Sequence, residues 1–83
     1  MKLDLTVMSK TGVLFSGEVR AITAQNQRGA FDILPDHENF ISIINEDMHV
    51  IHMDGKKQLI PVRYGLLKVS RNHVQVFLDL EAR

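Results

Sequence analysis

RGAFDILPDHEN, residues 28–39, is the stretch around which the rest of this chain is expected to fold. It sets the apolar residues Phe31, Ile33 and Leu34 in front of Pro35, and four polar residues follow the proline. A proline has no backbone N–H to give to a neighbouring strand, and an aspartate directly after it is typical of a turn. The stretch therefore predicts a short strand that leads into a charged loop.

The residues on both sides of this stretch predict further strands. Leu3, Leu5 and Val7 alternate with polar residues, which is the period of a strand with one buried face. The sequence SKTG at 9–12 predicts a turn after this strand. Short extended runs follow at 13–15 and 18–24, separated by Ser16 and Gly17, and then at 40–44 and 48–53.

Asp54-Gly55 is the strongest hairpin signal in the chain. Both central residues of a type I′ turn need a positive φ, which this pair tolerates, so it is expected to join 48–53 to 57–62 through such a turn. Pro61 lies within the second of these runs. Because proline cannot donate to a central ladder, Pro61 predicts an edge position or a bulge.

A last hairpin is expected where Arg71-Asn72 joins the runs 64–70 and 73–80. No segment of the chain has apolar residues at helical spacing. About eight to ten short strands with closely spaced turns predict an all-β fold, either a two-sheet antiparallel sandwich or a flattened barrel. With 83 residues and neither repeat nor linker, the chain 1–83 is expected to form a single domain.

The composition weighs against several classes of function. Ten basic residues balance ten acidic ones, and the basic residues form no stripe beside aromatic side chains, so nucleic acid is not an expected ligand. The absence of cysteine leaves no disulfide and no thiolate metal site, and it fits a reducing, cytosolic setting. The N-terminal segment lacks the apolar length of a signal peptide or a spanning helix, so no direct membrane insertion is expected.

The residue types that carry catalysis or bind metals form no recognisable pattern. His49 and His52 would converge on a helix, but on a strand they point to opposite faces, so no metal site is expected from them. A triad of Ser42, His37 and an aspartate would lack the nucleophile-elbow sequence, and no glycine-rich phosphate loop occurs. We therefore expect no catalytic residue, no metal and no cofactor.

Apolar residues are more frequent than the core of so small an all-β domain requires. Six of them stand next to apolar neighbours, and both sets cannot point inward: Met8, Leu14, Phe40, Met48, Met53 and Phe77. Two packed sheets with their loops can cover any single member of this set. As a group, the six residues predict a surface that docks a partner, for which methionine is suited because its side chain adapts to irregular surfaces.

Four short strings resemble one protein family in their order and spacing: LFSGEV (14–19), GAFDILPDH (29–37), YGLLKV (64–69) and VQVFLD (74–79). Along nearly its whole length the chain is similar to the N-terminal β-sandwich domain of the epsilon subunit of bacterial and chloroplast F-type ATP synthases. The resemblance implies a non-catalytic subunit of the rotor's central stalk. It would bind the gamma subunit, sit on the ring of c subunits at the cytoplasmic face of the bacterial plasma membrane, and couple ion transport to ATP synthesis.

The resemblance also implies where these partners bind. Ser9, His37 and Ser42 align with positions at or near the gamma contact. Met48 joins them from the apolar surplus, as a position where a charge is expected to weaken gamma binding and leave the fold intact. The loop at 28–38 is expected to face the c ring. It offers a mixed set of residues suited to hydrogen bonds and ion pairs: Arg28, Gly29, Ala30, Phe31, Asp32, Asp36, His37 and Glu38.

Some positions depart from the family pattern. Asp32 and Asp36 stand where the family has glycines, Asn39 replaces a proline, and Tyr64 replaces the first residue of a Gly-Gly pair. Because aspartate tolerates the left-handed conformation better than most residues, the turn at Asp36 is expected to persist. These departures keep open a free-standing β-sandwich interaction module with another partner. A small enzyme or ligand binder is the third alternative.

The family pattern continues into a two-helix domain that carries inhibition and, in some members, ATP binding. This sequence ends at Arg83, and in LDLEAR (78–83) the last two residues of the family's ATP-binding motif are reversed. We therefore expect neither ATP binding nor inhibition of ATP hydrolysis from this chain.

Overall fold

Every regular element of the chain is a β-strand in the computed structural model, which describes residues 2–78. The described residues form six strands: β1 (Leu3–Ser9), β2 (Gly12–Asn26), β3 (Gly29–Ile33), β4 (Phe40–His52), β5 (Lys57–Ser70) and β6 (His73–Phe77). The predicted all-β class is confirmed. The predicted number of strands is wrong, because several of the expected short strands are parts of longer ones.

Two of the predicted breaks lie inside continuous strands: the first pairs regularly with β1, and a β-bulge lets the strands bend at the second without ending. Ser16 and Gly17 lie inside β2, and the gap expected after Ile44 lies inside β4. In the middle of β4, Glu46 alone stands opposite two residues of β5, since Asn45 pairs with Tyr64 and Asp47 pairs with Pro61. A long strand can therefore serve both layers of the flattened barrel.

The bulges also decide which side chains face the core. Val62, the first residue of the bulge in β5, is buried, and Leu67 is buried after the bulge, so the buried positions change from even to odd numbers. β2 changes its buried positions from odd to even numbers at Arg20, between the buried residues Val19 and Ile22. A one-residue bulge thus turns the remainder of a strand over.

Pro61 lies directly before the bulge in β5, opposite Asp47. Residues 57–61 pair with β4 alone, because β6 pairs with residues 66–70 of the same strand. Both predicted explanations of the proline, an edge position and a bulge, are confirmed.

The strands form one sheet that closes on itself. Its order is β1-β6-β5-β4-β2-β3, and β1 also pairs with β2. The β1–β2 pair is antiparallel, whereas the β1–β6 pair is parallel and runs from Asp4 opposite His73 to Met8 opposite Phe77. The prediction of a purely antiparallel arrangement is therefore wrong. A parallel pair between the first and last strands needs no tight turn, so no local sequence signal marks it.

The hairpin at Asp54-Gly55 forms, but its turn is not of type I′. The backbone N–H of His52 donates to the carbonyl oxygen of Lys56 (2.8 Å), and that of Gly55 donates to the carbonyl oxygen of His52 (2.9 Å). In this three-residue loop Gly55 has a φ of 91°, whereas Asp54 does not have a positive φ. One left-handed residue after a tight turn is typical of a three-residue hairpin with a bulge.

The type I′ geometry occurs instead at Arg71-Asn72. Both residues have positive φ, 50° and 64°, and the pair Ser70–His73 closes a two-residue loop between β5 and β6. The predicted hairpin at this position is confirmed. Its second strand ends at Phe77 in the structure, and residues 79 and 80 of the predicted strand lie outside the described residues.

One apolar core fills the space between the layers. All six strands contribute to it: Leu3, Leu5, Val7, Val19, Ile22, Ala24, Ile33, Ile44, Met48, Val50, Val62, Leu67, Val69, Val74 and Val76. Phe31 and Phe40 cover it at one side, with their rings edge to face and their centroids 5.4 Å apart. No polar or charged residue between positions 2 and 78 is buried. The core formed by the described residues is therefore held together by apolar packing.

Gly65 is the point where β5 and β6 come closest. A Cβ atom at this position would lie 2.9 Å from the carbonyl oxygen of Phe77 and 3.2 Å from a methyl group of Val62. A backbone oxygen cannot move aside as a side chain can. The glycine of the string YGLLKV is therefore required by packing.

Candidate docking surfaces

A row of apolar side chains crosses the outside of the barrel. Five residues on five neighbouring strands are joined pairwise by register: Ile43 with Leu66, Leu66 with Phe77, Phe77 with Met8, and Met8 with Val13. We call these five residues the apolar row. Ile43 is 42% exposed and Val13 is 60% exposed, while the other three are partly covered by one another.

Val13 joins the apolar row because of a bulge in β2. Val7 pairs with Phe15 and Met8 pairs with Val13, so Leu14 is the additional residue on this strand. The bulge places Val13 on the outward side with Met8, although Phe15 two residues later packs against the core. Leu14 itself is 59% exposed. The predicted surplus of outward apolar residues is confirmed for this part of the chain.

Met48 does not belong to this surface, contrary to the sequence-based expectation. Its exposed fraction is 0%, and it lies in the core with Ile44 and Val50 of the same strand. The alternation of β4 directs Ile44, Met48 and Val50 inward, and Met48 fills part of this interior space. A charge at this position would therefore be placed in the core, and the expectation that it leaves the fold intact is wrong.

Ser9 and Ser42 are sequence neighbours of two members of the apolar row. Ser42 pairs with the buried Leu67, so it lies on the opposite face of β4 from Ile43. Ser9 follows Met8 at the end of β1, where its hydroxyl group forms a hydrogen bond with that of Thr11 (2.9 Å). Ser42 precedes Ile43 in β4, and its hydroxyl oxygen accepts a hydrogen bond from the Asn26 side chain (3.2 Å). Since β5 and β6 separate β1 from β4, the structure does not bring the two serines together.

His37 and Ser42, in contrast, line one shallow hollow beside the edge of β4. It is formed by Asn26, Arg28, Gly29, Ala30, Phe31, His37, Phe40 and Ser42, and we call it the edge hollow. The His37 ring packs against Phe40 with a centroid distance of 5.8 Å, and its Nδ1 donates to the carbonyl oxygen of Glu38 (2.7 Å). Five of the eight residues predicted to face the c ring thus surround the same hollow.

The remaining three predicted loop residues point elsewhere. Asp32 lies on the outer side of β3 and accepts a hydrogen bond from the Thr23 hydroxyl group (2.6 Å). Asp36 and Glu38 are exposed in the loop between β3 and β4. Asp36 has a φ of 67°, so the expected left-handed turn without a glycine is confirmed. The segment 28–38 therefore presents two different charged surfaces, one on a strand and one on a loop.

Sequence reasoning missed two polar residues at this side of the barrel. Asn26 binds Ser42, and its Oδ1 also accepts a hydrogen bond from the backbone N–H of Arg28 (2.8 Å). Tyr64 lines a second hollow, which adjoins the first through Asn26, Arg28 and Ser42. An asparagine before a turn is a common signal for this type of side-chain contact. The position of Tyr64 depends on the register of β5, which no local signal gives.

The ion pair that the structure shows on the described surface is exposed to solvent. Lys2, directly before β1, forms a salt bridge with Glu18 of β2, and the hydrogen bond and the charge of Glu18 raise the pKa of Lys2 above its ordinary value of 10.5. Within residues 2–78, no three acidic or histidine side chains converge as a metal site. The described part of the chain also contains no helix with the length and apolar character needed to span a membrane.

Residues 2–80 match the family described as the ATP synthase, Delta/Epsilon chain, beta-sandwich domain. The chain belongs to this family. The resemblance seen in the four sequence strings is confirmed, and it extends over almost the whole chain.

Two similar curated proteins are ATP synthase epsilon chains. An ATP synthase epsilon chain of Nitratiruptor sp. is 30% identical over 78 residues, and one of Wolinella succinogenes is 32% identical over 78 residues. Each alignment covers 93% of this chain and 60% of the relative. The chain thus spans about 60% of the length of these relatives.

Solved structures show the same fold. The OSCP/F1/c-ring structure of the Euglena gracilis mitochondrial ATP synthase contains a chain with a TM-score of 0.87 and 21% identity, over 93% of this chain and 50% of that one. The central stalk/c-ring structure of the Tetrahymena thermophila mitochondrial ATP synthase contains one with a TM-score of 0.75 and 10% identity, over 94% and 63%. The delta/epsilon fold therefore persists at low sequence identity.

Proposed function

We propose that this chain is a non-catalytic central-stalk subunit of a rotary F-type ATP synthase, which links the gamma subunit to the c ring and couples ion transport to ATP synthesis. The observation that carries the proposal is the family match over residues 2–80. The named relatives are ATP synthase epsilon chains, and the two structural neighbours come from complexes that include the c ring. In this role the chain is a peripheral component at the cytoplasmic face of the bacterial plasma membrane.

The apolar row is the proposed docking surface for gamma. Its five residues carry no charge, and they continue across five strands without a polar interruption. The centre of a protein interface is depleted of charged residues, so such a row suits the centre of a contact. Ser9 follows Met8 at the end of β1 and is the candidate for a hydroxyl group at the polar rim of this contact, whereas Ser42 lines the edge hollow.

The edge hollow and the loop 34–39 are the proposed contact with the c ring. Arg28 and His37 line the hollow, and Asp36 and Glu38 stand in the loop beside it. Exposed charges of both signs form weak individual pairs, each worth about 0–1 kcal/mol. Such a surface suits a wet interface between polar loops, where many weak contacts act together.

Cysteine cross-linking in the assembled complex tests both assignments. Ile43→Cys is expected to link to gamma, and Glu38→Cys is expected to link to the polar loop of a c subunit. Leu59→Cys is the matched control, because Leu59 is an apolar residue of similar exposure, 49%, on the part of β5 that belongs to the other layer. Co-purification of the unmodified chain with gamma and the c ring tests the function itself. A chain that never co-purifies with either subunit would contradict the proposed function.

The pattern of links tests the orientation. If Leu59→Cys links to gamma as readily as Ile43→Cys does, the apolar row is not the specific contact. If Glu38→Cys links only to gamma, the assignment of the c ring to this loop is wrong.

A further inference from the structure

Asn72 connects three segments that are distant in the sequence. Its side-chain Oδ1 accepts a hydrogen bond from the backbone N–H of Asp36 (2.6 Å), and its Nδ2 donates to a carboxylate oxygen of Asp36 (3.4 Å). Its backbone oxygen accepts a hydrogen bond from the N–H of Asp4 (2.8 Å). The side chain thus holds the loop 34–39, while the backbone holds the beginning of β1.

The loop 34–39 depends on this contact because it has little support of its own. It contains one internal backbone hydrogen bond in the structure, from the N–H of His37 to the carbonyl oxygen of Leu34 (3.1 Å). At its far end, the Asn39 side chain accepts a hydrogen bond from the backbone N–H of Arg71 (3.4 Å). The turn at 71–72 therefore holds the loop at two points.

The residue type at position 72 meets two requirements at once. Its φ of 64° is left-handed, and among residues with a side chain asparagine tolerates this conformation well. An amide also offers both an acceptor and a donor, which the contact with Asp36 uses. Glycine would meet the first requirement only. A glycine at position 72 would therefore keep the conformation of the turn and remove only its side-chain contact with the loop.

We propose that Asn72 is a positioning residue for partner binding: its amide fixes Asp36 and so orients the loop that presents Asp36, His37 and Glu38 to the c ring. This inference rests on the proposed function, because it takes the c ring as the partner of the loop. A loop held in its binding conformation loses less conformational freedom when the partner binds. Asn72 touches the loop and need not touch the partner.

The test compares Asn72→Gly with Arg71→Gly. Both variants place glycine at a left-handed position of the same turn, but only Asn72→Gly removes a side-chain hydrogen bond to the loop, since the bond at position 71 uses the backbone N–H. Amide hydrogen exchange of the full chain is measured at Asp36 and, as a reference, at Val74 and Val76 of β6. We expect exchange at Asp36 to become about tenfold faster in Asn72→Gly, as the loss of one net hydrogen bond implies, and to stay unchanged in Arg71→Gly.

Binding to the purified c ring provides the second measurement. We expect Asn72→Gly to bind severalfold more weakly and Arg71→Gly to bind as the unmodified chain does, with equal unfolding midpoints for the two variants. Unchanged exchange at Asp36 in Asn72→Gly overturns the inference, as does a loosened loop that binds the ring with full affinity. If the unmodified chain does not bind the ring, the proposed function fails, whereas exchange at Asp36 still decides whether Asn72 orders the loop.

Discussion

Ile43 and Met48 are apolar residues on the same strand, but they have opposite environments. Ile43 is 42% exposed on the outside of the barrel, whereas Met48 has an exposed fraction of 0% in the core. The segment FISIIN at 40–45 carries apolar side chains on both faces of β4, so hydrophobicity does not tell which of them is buried. The pairing register decides this, and it separates residues that stabilise the fold from residues available to a partner.

The largest expected effect is that of a charge on the buried side of this comparison. Met48→Glu places a carboxylate in an interior that contains no buried polar residue between positions 2 and 78, so no partner can compensate its desolvation. A domain of this size has a free energy of unfolding of roughly 4–12 kcal/mol, and we expect the change to remove most of it. Urea unfolding followed by circular dichroism measures the effect.

Met48→Leu is the control for this prediction. It conserves the volume and the apolar character of the side chain, so it is expected to cost less than about 1.5 kcal/mol. A Met48→Glu variant that unfolds cooperatively at the unmodified midpoint would show that this side chain is not part of the core.

On the exposed side of the comparison, the same charge is expected to act on binding and not on folding. Ile43→Glu should leave the unfolding midpoint nearly unchanged and weaken binding to gamma by about 2 kcal/mol or more, which is roughly thirtyfold. Leu59→Glu, on the other layer, should change neither quantity. Calorimetric titration with isolated gamma distinguishes the two variants, and equal affinities for both would remove the apolar row as the docking surface.

A smaller effect is expected from the charged surfaces of the segment 28–38. Arg28→Glu combined with Asp32→Lys and Asp36→Asn reverses or removes three exposed charges, and asparagine is chosen because position 36 has a φ of 67°. Each single change should cost less than about 1 kcal/mol of c-ring binding, and the combination should weaken binding more at low salt than at high salt. A loss that is independent of ionic strength would point to damage of the loop conformation instead.

The smallest effect is expected for the exposed pair Lys2–Glu18. Lys2→Gln should hardly change stability near neutral pH, because both partners are largely accessible to solvent. Since the pKa of Lys2 is raised in the folded state, its contribution is complete below pH 10.5 and is lost as the pH rises through the higher, folded-state pKa. The unfolding midpoints of the two proteins should therefore converge above pH 10.5. A difference that grows with pH would contradict the assignment.

The sequence predicts those parts of the fold whose pattern is local. Leu3, Leu5 and Val7 alternate with polar residues, and all three are buried in β1 as this period requires. The residue pair at 71–72 predicts its hairpin, although the pair that best matches a type I′ turn, at 54–55, adopts another turn type. A sequence motif shows where the chain reverses direction, whereas the pairing of the flanking strands determines which turn type forms.

The features that the sequence does not predict depend on distant pairing. The bulge at Arg20 turns over the rest of β2 without a glycine or another local signal. The bulge opposite Glu46 turns over the rest of β5, and Pro61 directly before it signals a bulge or an edge but not which side chains become buried. The candidate docking surfaces likewise can be predicted only where they depend on residues close in the sequence. Arg28, Phe31 and His37 meet at the edge hollow because they are close in the sequence, whereas the apolar row arises only when five strands are in register.

The parallel pairing of β1 with β6 has a consequence for the way the protein is made. β1 needs a strand that is synthesised about 70 residues later, because residues 73–77 lie between β1 and β5 in the closed sheet. Until then the nascent chain has no closed barrel, and the apolar side chains of the uncharged segment FISIIN are not yet covered by the other strands. Closing so long a segment is entropically costly and slow compared with forming a hairpin. We therefore expect the barrel to close only after residues 73–77 have been synthesised, so that a partner that binds across the strands meets a closed surface.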